Sequence, residues 1–409
     1  MAGAPAVVVG ASLAGLRAAE ALRERGWDGD LVVVGDERHM PYTRPPLSKA
    51  LLGGAVEAEG VALARDGLDA EWRLGVRATR LDPAARRVHL EDGDALEYDR
   101  LVLATGCRAR AWPGPDGPLD GLFVLRALDD ALALRAALRP GARLAVIGAG
   151  FIGCEVASTA RALGVEVTLV DVLPRPMHAL GPLVGDACAR MHAEHGVDLR
   201  LGRLVAKLLG ERSFEGLVLG DGTRIEADAA VVALGAEPNT EWLLDSGLRL
   251  RQGVVCDVHC LAAGAERIAA AGDVASWPHP LAGGELVRVE HWTNAADQAG
   301  VAAANLLLER EERTPYDAVP SFWSDQYDVK LQAVGLPGRA ERFTVVEGGE
   351  EGRFVAAGER EGRLVAAVGW NAQRRMPWYR RQIAEGATLA AAVAAIADDP
   401  KALPAPAAA

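Results

Sequence analysis

Gly148, Gly150 and Gly153 stand in the order G-x-G-x-x-G, with Phe151 and Ile152 in the two variable places. An apolar run at 144–147 precedes them, and a helical pattern follows to about residue 163, where Gly164 stops it. This arrangement can cradle a dinucleotide diphosphate. The first glycine permits a tight turn, the second lets the backbone approach phosphate, and the third lets helix and strand pack closely. The helix N-terminus adds unpaired N–H groups and a partial positive charge. Asp171 follows the next apolar run, eighteen residues past Gly153. A carboxylate there would accept a hydrogen bond from a ribose hydroxyl and repel a 2′-phosphate, which favours NADH over NADPH.

A second loop of the same kind lies 138 residues earlier, at Gly10, Ala11, Ser12, Leu13, Ala14 and Gly15. Ser12 replaces the middle glycine, and its hydroxyl could donate to phosphate. Asp36 follows the next strand, twenty-one residues past Gly15, again at ribose distance. One glycine-rich turn is often only a helix cap. Two such units, each with strand, helix and acid in order, point to two bound dinucleotides. Flavin and nicotinamide together meet that need, because the flavin carries the chemistry and the protein supplies alignment and electrostatics.

The elements that must position these loops recur along the chain. Apolar residues at 13, 16, 19 and 22 mark a helical stripe between strand-like runs at 6–9 and 31–34, a β-α-β unit. Further buried-strand patterns end in turns at 98–106, 229–235 and 268–272. The Pro/Gly-rich segment 112–118 reads as a linker, and a second boundary falls near Thr314-Pro315. Short β-like runs at 343–346, 354–357 and 364–368 predict a small α+β domain, and the Ala/Pro tail from Leu403 is expected to be disordered. The expected architecture is α/β, with two Rossmann-like domains plus a C-terminal α+β domain. The FAD domain is discontinuous (1–112 and 234–313), the NAD domain spans 113–233, and the last domain spans 314–409.

The bulk numbers narrow the class. The 409 residues exceed one hydrophobic core. The formal charge of −12 argues against a general nucleic-acid binder. No apolar run approaches the ~20 residues that span a bilayer, and the N-terminus lacks a basic region and cleavage signal, so a cytoplasmic protein is expected. The cysteines, at 107, 154, 188, 256 and 260, are odd in number and sparsely spaced. They are expected to be reduced thiols, with neither a disulfide nor a metal.

The segment Pro41-Tyr42-Thr43-Arg44-Pro45-Pro46-Leu47-Ser48-Lys49 closely resembles a signature of the oxygenase-coupled NADH–ferredoxin reductases. Further matches are Ala104-Thr105-Gly106, Phe151-Ile152-Gly153-Cys154-Glu155, Gly235-Ala236-Glu237-Pro238-Asn239, Ala271-Gly272-Asp273, Trp292-Thr293-Asn294-Ala295 and Phe322-Trp323-Ser324-Asp325-Gln326-Tyr327. They cover nearly the whole chain in the family's order. The resemblance implies a glutathione-reductase-like fold and transfer of electrons from NADH through FAD to a separate [2Fe–2S] ferredoxin. The terminal acceptor would be a cytochrome P450 or a Rieske oxygenase.

The resemblance also implies site residues. Ala14, Asp36, Lys49, Ala78, Arg126, Asp273 and Trp292 fall at FAD-contact positions, with Asp273 holding the ribityl chain. The implied FAD set further includes Arg44, Pro45, Ala104, Thr105, Gly106, Gly272, Glu290 and His291. Lys49 is implied to lie near flavin N5, paired with Glu155, and Trp292 to place an aromatic close to the ring. A cation near N5 would favour an anionic reduced flavin, and a carboxylate would keep the lysine oriented. Phe322 and Trp323 would cover the flavin. Gly235 joins the NAD positions. Many relatives carry an arginine where this chain has Ala179, and nearby Arg175 could serve instead.

Two alternatives share the fold: an NADH-responsive flavoprotein resembling apoptosis-inducing factor, and a rubredoxin reductase. A disulfide reductase is disfavoured, since no cysteine precedes Cys107. An acidic ferredoxin would meet Arg310, Arg313, Arg339, Arg374, Arg375, Arg380 or Arg381. The expected assembly is a monomer or weak homodimer.

Overall fold

A computed structural model describes residues 3–114, 119–349, 352–397, 399 and 401–403. Part of the expected linker, 115–118, and the expected disordered tail, 404–409, lie outside the described residues. The chain divides into two compact units. One comprises 1–43, 61–108 and 237–320, and the other 44–60, 109–236 and 321–409.

The first unit is built on a five-stranded parallel sheet. Its order is Ile268–Ala270, Arg100–Leu103, Ala6–Val9, Leu31–Gly35, Glu71–Leu74. Strand Ala6–Val9 is buried throughout, as a parallel strand covered on both faces must be. Helix Leu13–Glu24 follows it and packs on helix Trp292–Leu307. Both helices bury small residues, including Ala14 and Ala18 on one and Ala295, Ala299 and Ala302 on the other. Small side chains let two helix axes approach closely, which brings both N-termini to one end of the sheet.

The second unit repeats the plan. Its parallel sheet runs Asp198–Leu201, Glu166–Asp171, Arg143–Ile147, Ala229–Val232, Leu122–Phe123. In both sheets the strand leading into the glycine loop is central, with the next strand on one side and a later strand on the other. That reversal of strand order opens a crevice at the C-terminal ends, where nucleotides bind in doubly wound folds.

The second unit also holds a five-stranded antiparallel sheet, ordered Ser321–Gln326, Val329–Gly335, Arg363–Trp370, Phe354–Arg360, Arg342–Gly348. Helices Met376–Ala384 and Leu389–Ala397 follow it. Among the described residues, no helix is long and apolar enough to cross a membrane.

One of the arginines expected at a docking surface is placed otherwise. Arg375 is 3% exposed and bonds Glu347 through Nε and Nη2 and Asp399 through Nη1. Its charge is spent inside the fold. Arg313 is partly buried and donates from Nε to the carbonyls of Asn305 and Leu308. Arg310, Arg374, Arg380 and Arg381 are exposed.

Candidate functional site

In the first unit, Gly10 has φ +122°, and a Cβ there would lie 2.0 Å from the carbonyl oxygen of Ala104. A Cβ on Gly15 would lie 1.7 Å from the Gly10 carbonyl oxygen. Both positions therefore admit only glycine in this geometry. Ser12 is the N-cap of helix Leu13–Glu24, but its side chain does not cap the helix. The first-turn N–H groups of Leu13, Ala14 and Gly15 are left for another acceptor.

Gly272, with φ +73°, seats beside that helix start, its virtual Cβ 3.0 Å from Ala14 Cβ and 3.6 Å from Ala295 Cβ. Asp273 is thereby brought to the N-terminal turns of two helices, where a carboxylate is stabilised. Cys107 Sγ donates to its Oδ2 at 3.2 Å. Trp292 and His291 sit at the start of helix Trp292–Leu307, and Trp292 Nε1 donates to Thr43 Oγ1 at 3.2 Å. Burial pushes His291 down to about 4, so its ring is neutral at physiological pH. Glu290, just before His291 in the chain, pairs with Arg288 at 2.5 Å.

The Ala104-Thr105-Gly106 turn is held by a residue that the sequence marked only as a motif match. Asn239 donates from Nδ2 to the Thr105 carbonyl at 2.8 Å, accepts from Thr105 Oγ1 at its own carbonyl at 2.9 Å, and donates from its N–H to Gly106 at 3.0 Å. Ala78 is buried at the start of strand Ala78–Asp82. Asp36 is exposed, one residue past strand Leu31–Gly35.

In the second unit the loop geometry recurs. Gly148 has φ +109°, and its virtual Cβ is 2.3 Å from the Ala233 carbonyl oxygen. Gly153 would place a Cβ 1.9 Å from the Gly148 carbonyl oxygen. Gly150, by contrast, faces open space with nothing within 4 Å of its virtual Cβ. That opening beside the first turn of helix Phe151–Ala162 fits a dinucleotide diphosphate. Gly235 has φ +89° and likewise faces open space. Ile152 is 40% exposed.

The acids after the two second strands are not equivalent. Val34 pairs with Val9 and Val170 with Ile147, so Asp171 matches Gly35 rather than Asp36. Asp171 Oδ2 accepts from Ala149 N at 2.6 Å, and Oδ1 from Leu173 N at 2.7 Å. It therefore holds the phosphate loop as well as facing the nucleotide end of the sheet. Arg175 is engaged by Asp186 at 2.6 Å.

Lys49 and Glu155 meet within this unit at 2.6 Å. Glu155 is only 4% exposed, unlike the surface acid that its place near a helix start suggests. Ser48 Oγ donates to its Oε2 at 2.5 Å and Ser324 Oγ to its Oε1 at 2.6 Å. A buried carboxylate needs such a full set of donors. Ser48 and Ser324 are positioning residues that the sequence reading missed, though both lie in quoted motifs. Lys49 also donates to the Pro45 carbonyl at 3.2 Å, and Arg44 Nη1 donates to the Arg126 carbonyl at 2.7 Å. Phe151 and Phe322 meet edge to face at 5.0 Å, while Trp323 is 38% exposed.

Lys49→Ala would leave Glu155 buried with only hydroxyl donors. On the role that the family resemblance implies for Lys49, the expected result is slower flavin reduction by NADH, by roughly 10²-fold, or a shifted flavin potential. A variant with wild-type rate and potential would remove Lys49 from the candidate machinery.

Comparisons with known proteins identify the family. The family described as pyridine nucleotide-disulphide oxidoreductase matches residues 4–299, and a reductase C-terminal module matches 321–404. The anthranilate 1,2-dioxygenase system ferredoxin–NAD(+) reductase component of Burkholderia cepacia is 42% identical over 392 residues, 94% of this chain and 95% of that protein. Rhodocoxin reductase of Rhodococcus erythropolis is 40% identical over 354 residues, covering 85% and 82% of the two chains. The solved covalent putidaredoxin reductase–putidaredoxin complex aligns with TM-score 0.88 at 34% identity, covering 94% of each chain. The chain thus belongs to the pyridine nucleotide-disulphide oxidoreductase family, among the ferredoxin–NAD(+) reductases that serve oxygenase systems.

Proposed function

We propose that this chain is an FAD-dependent reductase that takes electrons from NADH and passes them singly to a [2Fe–2S] ferredoxin serving a P450 or Rieske oxygenase. The observation that carries the reading is the presence of two matched phosphate loops in a chain similar over nearly its full length to named ferredoxin–NAD(+) reductases. Bound FAD and nicotinamide supply the redox chemistry. The chain's part is to bind, orient and tune. The 10–15 loop is assigned to FAD and the 148–153 loop to the nicotinamide dinucleotide. Asp273 and Asp171 are the proposed ribityl and ribose acceptors. Lys49 is the proposed cation beside the flavin, held in place by Glu155, Ser48 and Ser324.

The preference for NADH is assigned to Asp171. Asp171→Asn keeps an oxygen for the Ala149 N–H but removes the charge that repels a 2′-phosphate. It is expected to shift the NADH/NADPH ratio of kcat/KM towards NADPH by about tenfold or more. An unchanged ratio would show that this acid does not read the ribose.

Stopped-flow reduction by NADH and by NADPH, followed by mixing with acidic [2Fe–2S] ferredoxins, tests the whole reading. Rapid flavin bleaching and ferredoxin reduction that slows as salt rises are expected. A long-lived NADH complex that reduces no ferredoxin would favour the NADH-responsive alternative instead.

A further inference from the structure

The second unit contains a polar cluster that the proposed electron path does not use. Cys154 lies on helix Phe151–Ala162, and Cys188 and His192 lie on helix Pro182–Glu194. Their sulfur atoms and a ring nitrogen all fall within 4.8 Å of one another, and all three residues are buried. Cys188 and His192 are four residues apart, so one helix face presents both. Gln326 adds an oxygen, its Oε1 lying 3.0 Å from His192 Nε2 and 3.7 Å from Cys188 Sγ. Tyr327 OH lies 3.2 Å from His192 Nδ1.

We propose that Cys154, Cys188 and His192 bind a thiophilic divalent cation, Zn²⁺ above all, with Gln326 Oε1 as the fourth donor. Two sulfurs, one imidazole and one oxygen are a donor set that zinc accepts in tetrahedral geometry. With Zn–S near 2.3 Å and Zn–N near 2.0 Å, neighbouring donors lie about 3.3–3.8 Å apart, so the cluster need tighten by only about 1 Å. Charge also balances. Two thiolates with neutral histidine and glutamine cancel the ion's charge, which removes most of the cost of holding it in a buried place.

The surroundings favour a cation. Glu155 and Asp171 act on Cys154 through their negative charge. Loading the ion would release the thiol protons to solvent, as thiolate ligation requires. Tyr327 is placed to accept from Nδ1–H once Nε2 turns to the metal, the usual outer-shell arrangement. Nothing in this site depends on which nucleotide the adjoining loop binds.

The test uses the full chain with its flavin, reduced, chelator-stripped and then incubated with Zn²⁺ alone. After desalting, elemental analysis should find about one zinc per chain. Cys188→Ala and His192→Gln should each lose it, whereas Cys256→Ala, at a buried cysteine of the other unit, should keep it. X-ray absorption on the unmodified protein is the second measurement, since it does not rely on variants folding. It should show two sulfur neighbours near 2.3 Å. No retained zinc, zinc retained equally by Cys188→Ala, or a shell of nitrogen and oxygen alone would each overturn the proposal.

Discussion

Gly153→Ala is expected to raise the KM for NADH by about 10²-fold or more while the purified protein keeps its FAD. The added methyl would sit 1.9 Å from the Gly148 carbonyl oxygen and 3.3 Å from Val146 Cγ1. Both neighbours belong to the strand and turn that form the loop, so no flexible side chain can yield. Helix Phe151–Ala162 must move outward instead, and its first-turn N–H groups leave the place where phosphate would sit. Gly15→Ala makes the same collision in the first unit, 1.7 Å from the Gly10 carbonyl oxygen, and is expected to yield protein depleted of FAD. The two variants therefore report on the assignment of ligands to loops. Flavin content and steady-state kinetics with NADH, measured on both, decide it. Loss of flavin from Gly153→Ala with retention in Gly15→Ala would reverse the assignment.

Arg375→Met is expected to destabilise the C-terminal module by about 3–5 kcal/mol, because it strands a buried carboxylate. Glu347 is fully buried, and its Oε1 accepts from Arg375 Nε at 3.0 Å, Arg375 Nη2 at 2.9 Å and Tyr379 OH at 2.5 Å. Oε2 takes the Leu403 N–H at 2.7 Å. Arg375 also reaches Asp399 at 2.7 Å and lies over the Trp378 ring at 5.3 Å. The double variant Glu347→Leu/Arg375→Met removes both charges and should recover part of the loss. Urea unfolding followed by tryptophan fluorescence measures both. A single variant as stable as wild type would mean that the cluster is not held as described.

That cluster also shows where reading the sequence stops short. Residues 342–348 alternate as a strand, and simple alternation sets Val346 and Glu347 on opposite faces. The structure has a bulge there, with Val345 opposite Ala356 and Glu347 opposite Val355. One extra residue turns Glu347 into the core, where it recruits Arg375 away from the surface. A charge read in isolation as solvent-facing is thus internal, because its partner lies 28 residues away across the fold.

What the sequence determined by itself is local and covalent in reach. The spacing of Gly148 and Gly153, and of Gly10 and Gly15, prescribes strand, tight turn and helix, because only glycine tolerates carbonyl contacts under 2.4 Å at those turns. The family signature is equally local, carried by short stretches such as 41–49 and 322–327. Tertiary structure decided the rest. Strand pairing set Asp171, but not Asp36, against its phosphate loop, since register depends on neighbouring strands and not on residue counts between glycines. Folding gathered Ser48, Lys49 and Ser324 around the Glu155 carboxylate. It also brought Cys154 to Cys188 and His192. Groups so far apart in the chain become partners only when burial removes water and leaves each polar atom to find its bond within the protein.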